Sequence, residues 1–305
     1  MSARATCACA GRIRSHATGA GSDGQRDRLV DSLPAGALPR LGAGVKTGNA
    51  MRKGWPDTLW IVRHGESAGN VARDFAYQQG LARIDLTGRD VDVPLSDLGR
   101  EQAAALGRWF AQGREDGRPN VVLASPYLRA QETARLFRDA GGCPADTRIH
   151  LDERLREKEF GILDGLTGRG VRAEFPQQAE LRASLGKFYH RPPGGESWCD
   201  VIFRLRAMMD TISLHHSDCR VMIVAHQVVV LCLRYVVEGL TEQEILGIDA
   251  DGDVANCSIT EYRHAPGAEG TDGQMRLVRY NVTAPMEAQQ TPVTTKPDPI
   301  MGARG

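Results

Sequence analysis

The residues of this chain that could do chemistry sit at the ends of short apolar runs. Arg63, His64, Gly65, Glu66 and Ser67 follow the run 58–62, and Asn70 comes shortly after. A guanidinium offers a planar cationic fork, an imidazole offers a nitrogen nucleophile, and the free N–H groups of a helix start bind anions. Together they suit a phosphate group and point to phosphoryl chemistry on a histidine. By itself Arg-His-Gly is a weak signal, because most isolated histidines are ordinary surface or core residues. A second junction of the same kind strengthens it: the continuous, β-branched run 220–225 ends on His226, before a helical run 227–237. A third run, 120–124, ends at Ser125 and Pro126, where proline suits the first turn of a helix reaching about residue 140. Arg129 then lies in the first turn of that helix.

Bringing these residues together requires an α/β sheet whose parallel strands end on one edge, because ligands bind in the crevice outside the carboxyl ends of such strands. Arg63, His64, Arg129 and His226 are therefore expected to converge. The spacing predicts further helices over 97–111, capped by Ser96, and over 198–215, burying Val201, Leu205, Met208 and Ile212. Residues 147–151 read as a short strand, and 258–262 with 275–281 as a closing hairpin.

Acidic and basic side chains number 38 each, leaving no net charge, and a nucleic-acid or membrane-surface binder would need a basic face. With 305 residues and 41% hydrophobic content, the chain can bury one substantial domain. No apolar stretch is long enough to span a bilayer. The seven cysteines (7, 9, 143, 199, 219, 232 and 257) show no paired CxxC spacing and read as reduced thiols of a cytoplasmic protein. Cys7 and Cys9 have no nearby His or Cys that favours a metal. Residues 1–54, rich in Ala, Gly, Arg and Ser, and the proline-broken 284–305 are expected to lack fixed structure, leaving 55–283 as the domain. The start has no apolar core of a secretory signal; its arginines resemble a transit peptide weakly, and an extension upstream of Met51 reads equally well.

From residue 58 to 281 the chain resembles the histidine phosphatase superfamily, in the branch that includes phosphoglycerate mutases and fructose-2,6-bisphosphatases. The resemblance rests on the block at 63–67 with Asn70, on Pro94-Leu95-Ser96-Asp97-Leu98-Gly99, and on the run from Ser125 through Arg129 to Thr133. It continues through Leu155-Arg156-Glu157-Lys158-Glu159-Phe160-Gly161, Gly195-Glu196-Ser197 and Ala225-His226-Gln227. It implies a three-layer α/β/α sandwich with a mostly parallel central sheet, needing neither metal nor cofactor. It also implies that His64 is the nucleophile and forms a phosphohistidine, its other ring nitrogen donating to a backbone carbonyl. Arg63, Arg129 and His226 would hold the transferring phosphoryl oxygens. Asn70, with Gly65 and Gln227 beside the two histidines, joins the candidate substrate contacts. Glu157 would protonate the leaving group; from the residues alone Glu153, in the same acidic stretch, competes with it.

The segment between Gly161 and Gly195 is short beside the insertion that closes over a mutase site, which favours hydrolysis over transfer. Lys187 and Arg191, ahead of Gly195, resemble the bisphosphatase branch and are candidate substrate contacts. Gly194 and Leu231 stand where that branch carries cations for a remote phosphate, and losing each costs roughly 1.5–3 kcal/mol of binding. The expectation is a phosphatase for a small phosphorylated metabolite. A phosphoglycerate mutase-like isomerase and a non-catalytic phospho-ligand binder are the alternatives, and the same reading leaves room for a homodimer.

Overall fold

The computed structural model describes residues 54–86, 88–113, 117–267 and 273–295. The expectations for residues 1–53, Cys7 and Cys9 included, and for 296–305 lie outside them. The strands are β1 (Thr58–Arg63), β2 (Val121–Ala124), β3 (Ile149–Leu151), β4 (Arg220–Ala225), β5 (Ile259–Ala265) and β6 (Gln274–Val282). They form one sheet in the order β3-β2-β4-β1-β5-β6. The first four in that order are parallel, while β5 runs antiparallel to β1 and β6 antiparallel to β5.

Around the sheet lie α1 (Ala68–Gln78), α2 (Asp97–Ala111), α3 (Leu128–Asp139), α4 (Gly168–Glu174) and α5 (Pro176–Tyr189). They are followed by α6 (Trp198–His215), α7 (Gln227–Glu238), α8 (Glu242–Asp251) and α9 (Ala284–Ala288). Successive side chains of a strand point to opposite faces, so the continuous apolar runs of β1 and β4 need a partner on each side. Leu59, Ile61, Val221, Ile223 and Ala225 join a core with Val201, Leu205, Met208 and Ile212 of α6 and the apolar face of α7. Trp60, Val62, Met222 and Val224 join the opposite core with Leu106 and Phe110 of α2 and Phe137 of α3. The result is the expected three-layer α/β/α sandwich.

Ser96 caps α2 by accepting from the Gly99 amide at 3.0 Å, and Ser197 and Asp200 form a capping box on α6. Both helices have the expected bounds, because the cap residue and the apolar period agree. Two expectations change. Pro126 precedes α3 rather than entering it, since the Tyr127 amide turns back to Ser125 Oγ at 3.3 Å and Tyr127 becomes the N-cap. The segment 161–195 contains α4 and α5, the latter kinked at Gly186, whose φ of +77° a side chain would strain.

The second concerns the C-terminal tail, which is not structureless over the described residues 284–295. Met286 of α9 is fully buried in the core beneath α2, and Thr294 bonds to the chain around Asn256. Prolines that break periodicity do not prevent a segment from docking one buried side chain. The fold thus extends to at least residue 295. Met286→Ala is expected to lower unfolding stability by about 2–5 kcal/mol in a urea titration; a loss near zero would place α9 outside the core.

Candidate active site

Register alone assembles the centre. Arg63 of β1 lies opposite Ala225 of β4, and Val224 lies opposite Ala124 of β2, so the next residues, His64, His226 and Ser125, share the carboxyl edge. The His64 amide donates to Ala225 O at 2.9 Å and the Ser125 amide to Val224 O at 3.0 Å. The two imidazoles pack edge to face, 5.1 Å between centroids. Helices α1, α3 and α7 all begin within a few residues of this edge, bringing the positive ends of three helix dipoles to one place.

His64 is fully buried. Its Nδ1 lies 2.7 Å from the carbonyl oxygen of Gly65. A carbonyl only accepts, so Nδ1 carries the proton, and in the neutral ring Nε2 keeps its lone pair. Arg129 Nε donates to that Nε2 at 3.2 Å. Arg129, also fully buried, turns its other two nitrogens to Asp90. Nη1 reaches Oδ1 at 3.0 Å and the backbone carbonyl at 2.8 Å, and Nη2 reaches Oδ2 at 3.1 Å. Arg63 Nη1 donates to Val254 O at 2.5 Å, and His226 Nε2 sits 2.7 Å from Ser125 Oγ.

The loop carrying His64 is braced on several sides. A Cβ on Gly65 would fall 2.5 Å from Gly99 O, and one on Gly99 would fall 1.9 Å from Glu66 O, so this approach of loop to helix excludes any side chain. Thr133 Oγ accepts from the Gly65 amide at 3.1 Å, and Gln102 Oε1 from the Glu66 amide at 2.9 Å. Asn256 Nδ2 donates to the His64 carbonyl at 3.0 Å. Thr294 in turn contacts Gln102 at 2.9 Å and Asn256 at 3.0 Å. The Gly65 N–H and carbonyl are thus both engaged within the protein, and the glycine orients the His64 ring. Asn70 is buried, with Oδ1 accepting from the Ser67 amide at 2.8 Å in the capping box of α1. Gln227 is buried at the start of α7, its amide nitrogen on Asp253 at 2.7 Å.

Burial separates the two candidate acids. Glu153 is exposed, whereas Glu157 is 3% exposed and accepts from the Lys158 amide at 2.8 Å and from the Val228 amide, two residues past His226, at 3.4 Å. Glu196 aligns this stretch: it accepts from the Glu159 amide at 3.0 Å and binds Arg204, which donates to the carbonyls of Arg154 and Glu157.

One residue beyond Glu157 opens a cavity of about 310 Å³ between α4 and α5, lined by Lys158, Arg172, Arg182, Lys187 and His190 over an apolar floor. Burial, then the neighbouring Arg182, brings Lys158 down to about 8, and burial likewise lowers Arg182 and His190. Lys187 lines this cavity while paired to Asp249. Arg191 is not part of its lining: its side chain is 62% exposed and forms a fork with Asp200 at the start of α6. Sequence reasoning missed Asp90, Arg182, His190, Asn256 and Thr294, which only tertiary structure brings to the site; Lys158 was legible only as the neighbour of Glu157. Among the described residues no group of three or more His, Cys, Asp or Glu is placed to hold a metal ion, and no helix is long and apolar enough to cross a membrane.

Comparison with known proteins follows from this geometry. The family profile described as histidine phosphatase superfamily (branch 1) matches residues 59–283. A Caenorhabditis elegans 6-phosphofructo-2-kinase/fructose-2,6-bisphosphatase is 30% identical over 58% of this chain, which spans only a third (33%) of that relative. A 2,3-bisphosphoglycerate-dependent phosphoglycerate mutase of Gloeobacter violaceus is 28% identical over 74% of this chain and 94% of its own length. Among solved structures, mycobacterial glucosyl-3-phosphoglycerate phosphatase with VO3 is similar with a TM-score of 0.56 and 26% identity, over 74% of this chain and all (100%) of that one. Bacillus stearothermophilus YhfR gives 0.58 and 25%, over 75% and 98%.

Acidic groups gather on the Asp90 side of the centre. Tyr127 packs under Arg129, with the guanidinium 4.9 Å from its ring, and donates to Glu159 at 3.0 Å; burial, then Glu159, pushes its phenol far above the usual range. Partial desolvation, then the charge of Asp90, raises Asp164 from 3.8 to about 6, although the residue remains exposed to solvent. A carboxyl with a raised folded-state value destabilises the fold once it ionises, so the penalty is absent below about pH 4, grows up to about 6 and persists above. Asp164→Asn is expected to stabilise the protein by roughly 1 kcal/mol at pH 8, after allowance for screening, and by nothing at pH 4. Equal effects at both pH values in denaturant titrations would contradict this.

Proposed function

The chain belongs to branch 1 of the histidine phosphatase superfamily, and on that premise we propose that it is a metal-independent, cytoplasmic phosphatase. It hydrolyses a small phosphorylated metabolite through a phosphohistidine on His64. The observation that carries the reading is the hydrogen bond from His64 Nδ1 to the Gly65 carbonyl. It fixes the tautomer that keeps a lone pair on Nε2, the atom to which Arg129 Nε donates. Nε2 attacks phosphorus as the P–O bond to the leaving group breaks, and Glu157 gives that oxygen its proton. Water then attacks the phosphohistidine, returns a proton to the Glu157 carboxylate and releases phosphate, leaving His64 neutral. Arg63, Arg129 and His226 offset the charge that spreads over the phosphoryl oxygens.

The cationic cavity beside Glu157 supports a leaving group that bears a second anionic group. Lys158, Arg182 and Lys187, which line it, would bind a carboxylate or phosphate from positions other than the Gly194 and Leu231 that the bisphosphatase resemblance singles out. Similar proteins are named for bisphosphates and phosphoglycerates. Mutase-type transfer is the second reading, favoured by the likeness to the Gloeobacter mutase over nearly its whole length. A primed mutase assay distinguishes it, since transfer consumes no water and releases no phosphate.

A panel of phosphomonoesters, including 3-phosphoglycerate and sugar phosphates, tests the proposal by phosphate release. Activity is expected to persist in EDTA, to vanish in His64→Ala, and to fall about 10²- to 10⁴-fold in Glu157→Gln, most for poor leaving groups. Substantial release by His64→Ala would refute the mechanism. Because Lys158 loses its charge above about pH 8, KM for substrates with a second anionic group is expected to rise between pH 7 and 9. Lys158→Met should flatten that rise; an unchanged profile would remove Lys158 from the binding site.

A further inference from the structure

The contact between Arg129 and His64 is too short for the reaction it is meant to serve. With 3.2 Å between Arg129 Nε and His64 Nε2, there is no room for a phosphorus atom and one of its oxygens between the two nitrogens. Arg129 must therefore shift before a phosphoryl group can reach the nucleophile. Asp90 holds it in place: both carboxylate oxygens and the backbone carbonyl of Asp90 bind the two terminal guanidinium nitrogens. This end-on fork is the geometry in which arginine binds a phosphate or carboxylate. The Asp90 side chain is largely shielded, and Arg129 is fully buried. Neither is a loose surface pair whose value solvent would erase.

We propose that Asp90 is an internal competitor of the substrate phosphate, and that productive binding exchanges its carboxylate on Arg129 for phosphoryl oxygens. The proposal rests on Arg129 being a phosphoryl ligand, as in the mechanism above. Asp90 occupies a short helical turn at Asp90–Asp92, joined to α2 by a few residues, so that its carboxylate can withdraw without disturbing the sheet. The neighbouring carboxylates favour the exchange. Asp164 is raised by partial desolvation and then by the charge of Asp90, so a second carboxylate lies within reach of Asp90, which Arg129 holds in place. Its function is to set the affinity of the site for any phosphate, product included, so that released phosphate does not remain on the two arginines.

The test is binding of inorganic phosphate to the full chain by calorimetry, together with KM and kcat for the best substrate of the panel. Asp90→Asn and Asp90→Ala are expected to bind phosphate about tenfold more tightly, as the loss of a competing charge-assisted pair implies, and to show lower KM and stronger product inhibition. Asp92→Asn, altering an exposed partner of Arg89 on the same turn, should leave phosphate binding unchanged. In an Arg129→Ala background the effect of Asp90→Asn should vanish, a coupling that a merely structural role would not give. Weaker or unaltered phosphate binding in both Asp90 variants would overturn the proposal and make Asp90 an orienting partner of Arg129. Absence of phosphate binding in the wild type and in every variant would overturn the phosphoryl reading of the site and this proposal with it.

Discussion

One hydrogen bond governs the site: His64 Nδ1 to the carbonyl of the next residue. A neutral imidazole has one proton to place, and this bond places it on the nitrogen turned away from the cationic cluster. Had the proton been on Nε2, Arg129 would face a donor with a donor, and no lone pair would be available for attack. The bond is cheap in sequence, needing a histidine and a following carbonyl. It is demanding in structure, because the peptide after His64 must be held in one orientation.

Much of the surrounding structure holds that peptide. The parallel pairing of β1 with β4 sets the height of His64 relative to His226. The mutual approach of Gly65 and Gly99 locks the loop against α2. Thr133, Gln102 and Asn256 satisfy the amides and carbonyl around His64, and Thr294 ties the last two together from a segment almost at the end of the described chain. The buried polar groups are therefore part of one connected network whose satisfaction specifies a single loop conformation. The basic cavity lies on the other flank, where Glu157, Lys158 and the kinked α5 meet. Charge is distributed unequally across the site, with cations toward that cavity and carboxylates toward Asp90.

Much of this was legible in the sequence. Strands that are apolar on both faces and end on His64, Ser125 and His226 imply a shared edge, and the cap at Ser96 and the apolar periods of 97–111 and 198–215 mark two helices. The family blocks locate Glu157, and burial separates it from Glu153. What could not be read has a common physical origin. Asp90, Arg182 and Asn256 act through contacts with residues far away in the chain, and nothing in their local spacing distinguishes them from solvated polar residues. The tail was misjudged because its prolines and threonines lack period, although Met286 and Thr294 each dock on a surface made by other segments. Arg191 looked equivalent to Lys187 by proximity to Gly195, yet Lys187 lines the cavity while Arg191 pairs with Asp200 in solvent.

The central claim is that catalysis passes through Nε2 of His64, and rapid quenching of the enzyme with substrate, followed by ³¹P NMR and peptide mapping of the phosphoprotein, tests it directly. An acid-labile, alkali-stable phosphoramidate on Nε2 of His64 is expected, forming and decaying at rates compatible with turnover. Steady turnover with no phosphorylated histidine, or phosphate carried on Nδ1 or on another residue, would contradict it.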